Sequence, residues 1–166
     1  MKIILHADKK WGIGKKNDLM FNLPEDMRFF RTTTLNKVVC MGYNTLLSFP
    51  NSKPLKNRTN IVLAPVGVER DDCIIVHDLQ GLFNELKKYD TDDVFVIGGA
   101  MFYRTMLEYS DTAYITKVDA DGGAEVFFPN LDELPAWQLV EQSEPINDNG
   151  YTIRFTTYKN NNVTKY

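Results

Sequence analysis

Six short apolar runs recur along the chain: KIILHAD (2–8), KVVCMG (37–42), TNIVLA (59–64), CIIVH (73–77), VFVI (94–97) and TAYITKVDA (112–120). They are dense in Val and Ile and bounded by polar or glycine-bearing segments, as strands buried on both faces are. Between them lie segments with helical signals. Pro24 suits a first helical position and Pro50 should stop a helix running through Leu46-Leu47-Ser48-Phe49. Leu79, Leu82, Phe83 and Leu86 repeat at helical spacing after Asp78, a plausible N-cap, and residues 100–109 read as another helix. Near the end, Trp137 to Glu144 and Tyr151 to Lys159 read as two strands joined around Asn147-Asp148-Asn149-Gly150, whose Asn-Gly favours a hairpin turn. Strands alternating with helices and then a terminal hairpin predict an α/β fold, a mostly parallel sheet with an antiparallel edge.

The chain's 166 residues fit a single domain over 1–160, with a frayed tail at 161–166. A net charge of −3, with no long basic run, argues against a nucleic-acid partner. The two cysteines, Cys40 and Cys73, make neither a disulfide framework nor a metal site by spacing, and both read as buried free thiols in or beside apolar strands. Ile3-Ile4-Leu5 is too short for a signal peptide and nothing approaches a membrane span, so the expectation is a cytoplasmic protein.

The stretch 19–45 carries the first chemistry. Glu25 and Asp26 fall in the first turn of a helix, where the helix dipole favours negative charge. Phe29 and Phe30 follow Asp26 by three and four residues and share its face. Such a carboxylate is either a solvated dipole partner or an acid at the mouth of an apolar pocket. The strand after it ends in Gly42 and leads into Tyr43-Asn44-Thr45 at a new helix start, and Gly98-Gly99 likewise separates a strand from a helix. Strand, glycine and polar helix start resemble the phosphate sites of nucleotide-binding α/β proteins, although tight turns also use glycine for packing. Trp11-Gly12-Ile13-Gly14 is a surface turn or a mobile flap. Arg58, beside Leu55, is solvated or clamps a carboxylate at a pocket rim.

Taken together, WGIG (11–14), NLPEDMRFF (22–30), NKVVCMG with Thr45 (36–45), NRTNIVL (57–63), VIGGAMFY (96–103), and YITKVDA with FFP (114–129) resemble the dihydrofolate reductase family in order and spacing. The resemblance runs from Lys2 to about Lys159. It implies an eight-stranded, mainly parallel sheet with an antiparallel C-terminal strand and helices on both faces. It also implies NADPH-dependent reduction of 7,8-dihydrofolate, antifolate binding, and a monomer without metal. Asp26 matches the carboxylate that pairs with the pterin, and Thr116 the hydroxyl supporting it. Ile4, His6, Phe30, Phe49, Leu55, Ile97 and Tyr103 match substrate-pocket positions. Arg58 matches the arginine that binds the glutamate tail. Ala7, Ile13, Gly14, Gly42, Tyr43, Asn44, Thr45, Leu63, Gly98, Gly99, Ala100, Met101, Phe102 and Tyr103 match cofactor contacts, and His77 a position contacting the 2′-phosphate. The loop 9–23 matches a flap over the nicotinamide.

Some residues depart from that pattern. Met20-Phe21 stand where Pro-Trp is usual, and His6 replaces a small residue. Tyr43, Ala64 and Met101 replace Arg, Ser and Arg, which weakens the expected grip on the 2′-phosphate and leaves room for NADH. Two alternatives remain: a reductase of the same fold acting on a pyrimidine, and a silent nucleotide-binding module. Asp26 with Phe30 and Arg58 speaks against the first, and Asp26 with Thr116 against the second.

Overall fold

The structure, a computed structural model, describes residues 1–16 and 18–166. The expected flap at 9–23 includes Asn17, which lies outside the described residues. The strands are β1 Lys2–Ala7, β2 Gly12–Gly14, β3 Val38–Gly42, β4 Thr59–Leu63, β5 Ile74–Val76, β6 Val94–Val96, β7 Thr112–Val118, β8 Val126–Phe127, β9 Trp137–Gln142, β10 Ile146–Asp148 and β11 Tyr151–Asn160. The helices are α1 Pro24–Thr34, α2 Tyr43–Ser48, α3 Leu79–Leu86 and α4 Ala100–Met106.

The main sheet runs β10-β11-β7-β1-β6-β3-β4-β5, eight strands across, with β9 also paired to β11. From β7 to β5 every pairing is parallel, and β11 joins β7 antiparallel. The expected α/β sheet is present. Its C-terminal end differs from the single hairpin read in the sequence, because β9 and β10 share one edge of β11 in succession. Pro145 has no N–H to give a ladder and follows the break, where Ser143 instead exchanges hydrogen bonds with the Phe155 backbone. The Asn-Gly turn does close a hairpin, between β10 and β11. Asn149 (φ 52°) and Gly150 (φ 86°) both take the left-handed backbone that this turn demands.

Alternation along the strands divides the core. Ile3, Val38, Cys40, Ile61, Val94 and Val96 face α3 and α4 in a cluster with Leu82, Leu86, Phe102 and Met106. Ile4, Val39, Met41, Val62 and Phe95 belong to a second cluster with Leu46 of α2 and Phe29 and Phe30 of α1. Helices therefore cover both faces. The tail expected to fray is instead tied down. Asn161 and Thr164 donate backbone hydrogen bonds to Ala136 and Glu108, and Tyr166 stacks on Phe83 at 5.3 Å. An aromatic last residue with an apolar surface to meet outweighs the polar composition before it.

Candidate active site

Asp26 is the centre of the site, and tertiary contacts hold it there. α1 opens with Pro24 at its start, but its cap residue, Leu23, offers no side chain to the free N–H groups. The carboxylate of Asp148, at the end of β10, fills that role: it accepts the Glu25 and Asp26 N–H groups at 3.1 Å. Asp26 itself is 8% exposed. Its Oδ1 accepts a 2.6 Å hydrogen bond from the Thr116 hydroxyl, and its Oδ2 lies 3.2 Å from Nδ1 of His6. Thr116 and His6 are register partners on β7 and β1, so the sheet presents both to one carboxylate. Burial drives the Tyr103 hydroxyl far above the ordinary phenol range, the Asp26 charge adds to this, and the hydroxyl donates to the Ile4 carbonyl at 2.9 Å.

Five of the expected pocket positions fall together, one of them, Phe30, a turn beyond Asp26 on α1. Ile4, Phe30, Phe49, Leu55 and Ile97 belong to one apolar cluster, and all but Ile4 are only partly buried. Partly buried side chains in one cluster leave apolar surface for a flat ligand. A cavity of about 240 Å³ lined by Phe29, Tyr114, Phe155 and Glu141 includes none of these five residues, and Thr116 is the one expected site residue in its lining.

Arg58 stands at the far end of α1. Its Nε donates to Thr34 Oγ1, one terminal nitrogen to the Lys56 carbonyl and the other to the Arg31 carbonyl. A guanidinium has five N–H donors. These bonds use one on each nitrogen and leave one on each terminal nitrogen among the described residues. Burial and the nearby Arg31 charge lower its pKa from the ordinary arginine value.

The expected cofactor positions gather at the strand ends of β1, β3, β4 and β6. Ala7, Ile13, Leu63, Phe102 and Tyr103 share the first core cluster. Gly42 donates its N–H to the Gly98 carbonyl at 2.9 Å, which brings the starts of α2 and α4 side by side. Neither start is capped by a side chain. Gly98 has φ 128°, and a Cβ there would stand 3.4 Å from Thr45 Oγ1 and 3.5 Å from the Tyr103 ring. Gly42, Tyr43, Asn44 and Thr45 thus lie beside Gly98, Gly99 and Ala100, whereas Met101 is 84% exposed. Gly14 is buried in β2, which pairs with β8. His77, exposed beyond β5, places Nδ1 at 3.1 Å and 3.0 Å from the carbonyls of Ala64 and Pro65.

Sequence reading missed three supporting residues. Asp148 was visible only as part of a turn. Asn60 bonds the backbone of Leu55 in both directions and the Arg58 carbonyl, and so shapes the loop carrying both. Asp8, 4% exposed, accepts the N–H groups of Lys10, Gly12 and Gly122. It joins the start of the flap to the loop before β8. A Cβ on Gly12 would fall 2.3 Å from that of Ala124, so the approach itself requires glycine. The one available signal was an acid directly after a buried strand and before a glycine loop.

A mostly parallel sheet with glycine turns at its strand ends, a buried acid on a helix beside an apolar cluster and an arginine with unused N–H groups define an α/β fold of the nucleotide-binding kind. Residues 1–160 match the profile of the dihydrofolate reductase family. The dihydrofolate reductase of Bacillus subtilis is 33% identical over 99% of this chain and 97% of its own length. That of Haemophilus influenzae is 32% identical over 86% and 88%. The structure of dihydrofolate reductase from Enterococcus faecalis complexed with NADP(H) and RAB-propyl superposes with a TM-score of 0.85, at 27% identity over 96% and 95% of the two chains. The chain belongs to the dihydrofolate reductase family.

Proposed function

We propose that the protein reduces 7,8-dihydrofolate to 5,6,7,8-tetrahydrofolate with NADPH as reductant, in one-carbon metabolism. The observation that carries this reading is the buried Asp26 carboxylate, held by Thr116 and anchored through its backbone by Asp148. A carboxylate has about four acceptor positions. Thr116 and His6 occupy one on each oxygen, so each oxygen keeps one for the paired N–H groups of a pterin.

The residues divide the task. Asp26 orients the pterin by its amino group and adjacent ring N–H, and its charge favours a protonated ring. Phe30, Phe49, Leu55 and Ile97 hold the ring system by apolar contact and exclude water. Arg58 takes the carboxylate of the glutamate tail. The Gly98 backbone beside Thr45, free of side chains, fits a nicotinamide ring and pyrophosphate, and Ala7, Ile13 and Leu63 supply apolar contact. When bound, the reduced nicotinamide supplies the hydride to the imine carbon, while the adjacent ring nitrogen gains a proton from solvent. NADP(H) in the Enterococcus faecalis relative supports this cofactor.

The test is dihydrofolate-dependent oxidation of NADPH by the purified protein, with and without methotrexate. Turnover abolished by methotrexate supports the reading. Oxidation with a ribosylated aminopyrimidine and none with dihydrofolate would replace it with the pyrimidine reductase.

A further inference from the structure

His6 brings a buried ring nitrogen without a partner to the pocket. Its side chain is 7% exposed, and Nε2 is buried without a partner among the described residues. Nδ1 faces Asp26 Oδ2. An ionised carboxylate only accepts, so Nδ1 must carry a proton, and in a neutral imidazole Nε2 is then a bare acceptor. A buried acceptor without a partner is costly unless a ligand satisfies it. The ring also packs 6.0 Å from that of Phe21, and Thr116 is its strand neighbour.

The ligand brings the matching surplus. The amino group of a 2-aminopterin has two protons, and a carboxylate that also binds the adjacent ring N–H takes only one of them. The second faces away from Asp26 and needs another acceptor. On the folate-reductase reading of the site, on which this step rests, we propose that His6 Nε2 accepts it. The 2-amino group is then read by two residues, Asp26 and His6. The pocket is thereby specific for fused or simple 2-aminopyrimidine rings, beyond what Asp26 alone would select.

The experiment compares dissociation constants of trimethoprim, a 2,4-diaminopyrimidine, and its 2-desamino analogue, for wild type, His6→Phe and His6→Asn. The readout is the penalty for losing the amino group, written as the ratio of the two constants. His6→Phe keeps a ring but no acceptor, and the penalty should fall about tenfold, the scale of one buried hydrogen bond. His6→Asn retains an acceptor and should restore part of it. Unchanged NADPH affinity in each variant establishes that the fold is intact. A residue that only held Asp26 would act oppositely. Losing its N–H would leave the carboxylate a stronger acceptor, and the penalty would rise or stay constant in His6→Phe. Either outcome overturns the proposal. Wild-type turnover of dihydrofolate is measured first, so failure of the broader reading is seen separately from failure of the His6 assignment.

Discussion

The carboxylate of Asp148 accepts the backbone N–H of Asp26 at 3.1 Å, although 122 residues separate them. A β-hairpin thus caps the helix that carries the acid. Replacing Asp148 with Ala removes the cap and leaves two N–H groups unpaired. We expect a loss of about 1–3 kcal/mol in urea unfolding, and a smaller loss for Asp148→Asn, which keeps one accepting oxygen. An unchanged urea midpoint in both would mean that the cap contributes no net stability.

Asp26→Asn keeps the size of the acid and removes its charge. Turnover near neutral pH should drop by more than ~10²-fold, the scale of general acid–base contributions. Part of the loss should return in acid, where solvent protonates the substrate. Near-normal turnover of this variant at neutral pH would end the role assigned to Asp26.

Arg58→Leu tests the clamp. Three of its N–H groups are already held by the protein, so the orientation of the fork is set before ligand arrives. Losing it should weaken dihydrofolate and methotrexate by roughly 1.5–3 kcal/mol, about 10- to 150-fold. Trimethoprim, which lacks the glutamate tail, should change little. Equal weakening of all three would show that Arg58 acts through stability instead.

Thiol chemistry gives a check on the core that is independent of function. Burial pushes the Cys40 thiol up to about 12. Burial also raises Cys73, with the Asp72 charge next, but Cys73, expected to be buried, lies just before β5 and is only partly covered. The thiolate is the reactive form, and raising pH increases it. In the native protein a disulfide reagent should therefore modify Cys73 alone, faster as pH rises from about 7 to about 9, a range in which Cys40 stays protonated. Cys73→Ser should leave no reactive thiol until urea unfolds the chain. Modification of Cys40 in that folded variant would mean that the central sheet opens.

What could be read from sequence divides by range. Apolar runs placed the strands because a doubly buried strand has a composition of its own, and Asp78 was legible as a cap because Gly81, which it bonds, is three residues away. The cap on α1 was not legible, since its acceptor comes from the far end of the chain. Arg58 was placed by its neighbours, but the bonds that aim it come from the Arg31 carbonyl and the Thr34 hydroxyl on another element. His6 could be named as a pocket residue, yet its pairing with Asp26 depends on strand register. The tail was misread because composition predicts fraying, while Tyr166 finds Phe83 only in three dimensions.

The last prediction concerns cofactor choice. NADPH differs from NADH by one 2′-phosphate, whose recognition calls for positive charge. Tyr43 and Met101 supply none at the positions where the family resemblance expects arginine. His77 is exposed, and its Nδ1–H donates toward the carbonyls of Ala64 and Pro65, which fixes the ring and leaves Nε2 free to face a phosphate. We infer that His77 supplies much of the remaining discrimination. An Nε2 that faces the 2′-phosphate can hydrogen-bond it, and the imidazolium form attracts it by charge as well. The measurement is the ratio of kcat/KM for NADPH over NADH, with wild type and His77→Gln compared in one buffer. The variant's ratio should be several-fold lower. A variant ratio equal to that of wild type would assign the discrimination to a lysine or arginine of a neighbouring loop.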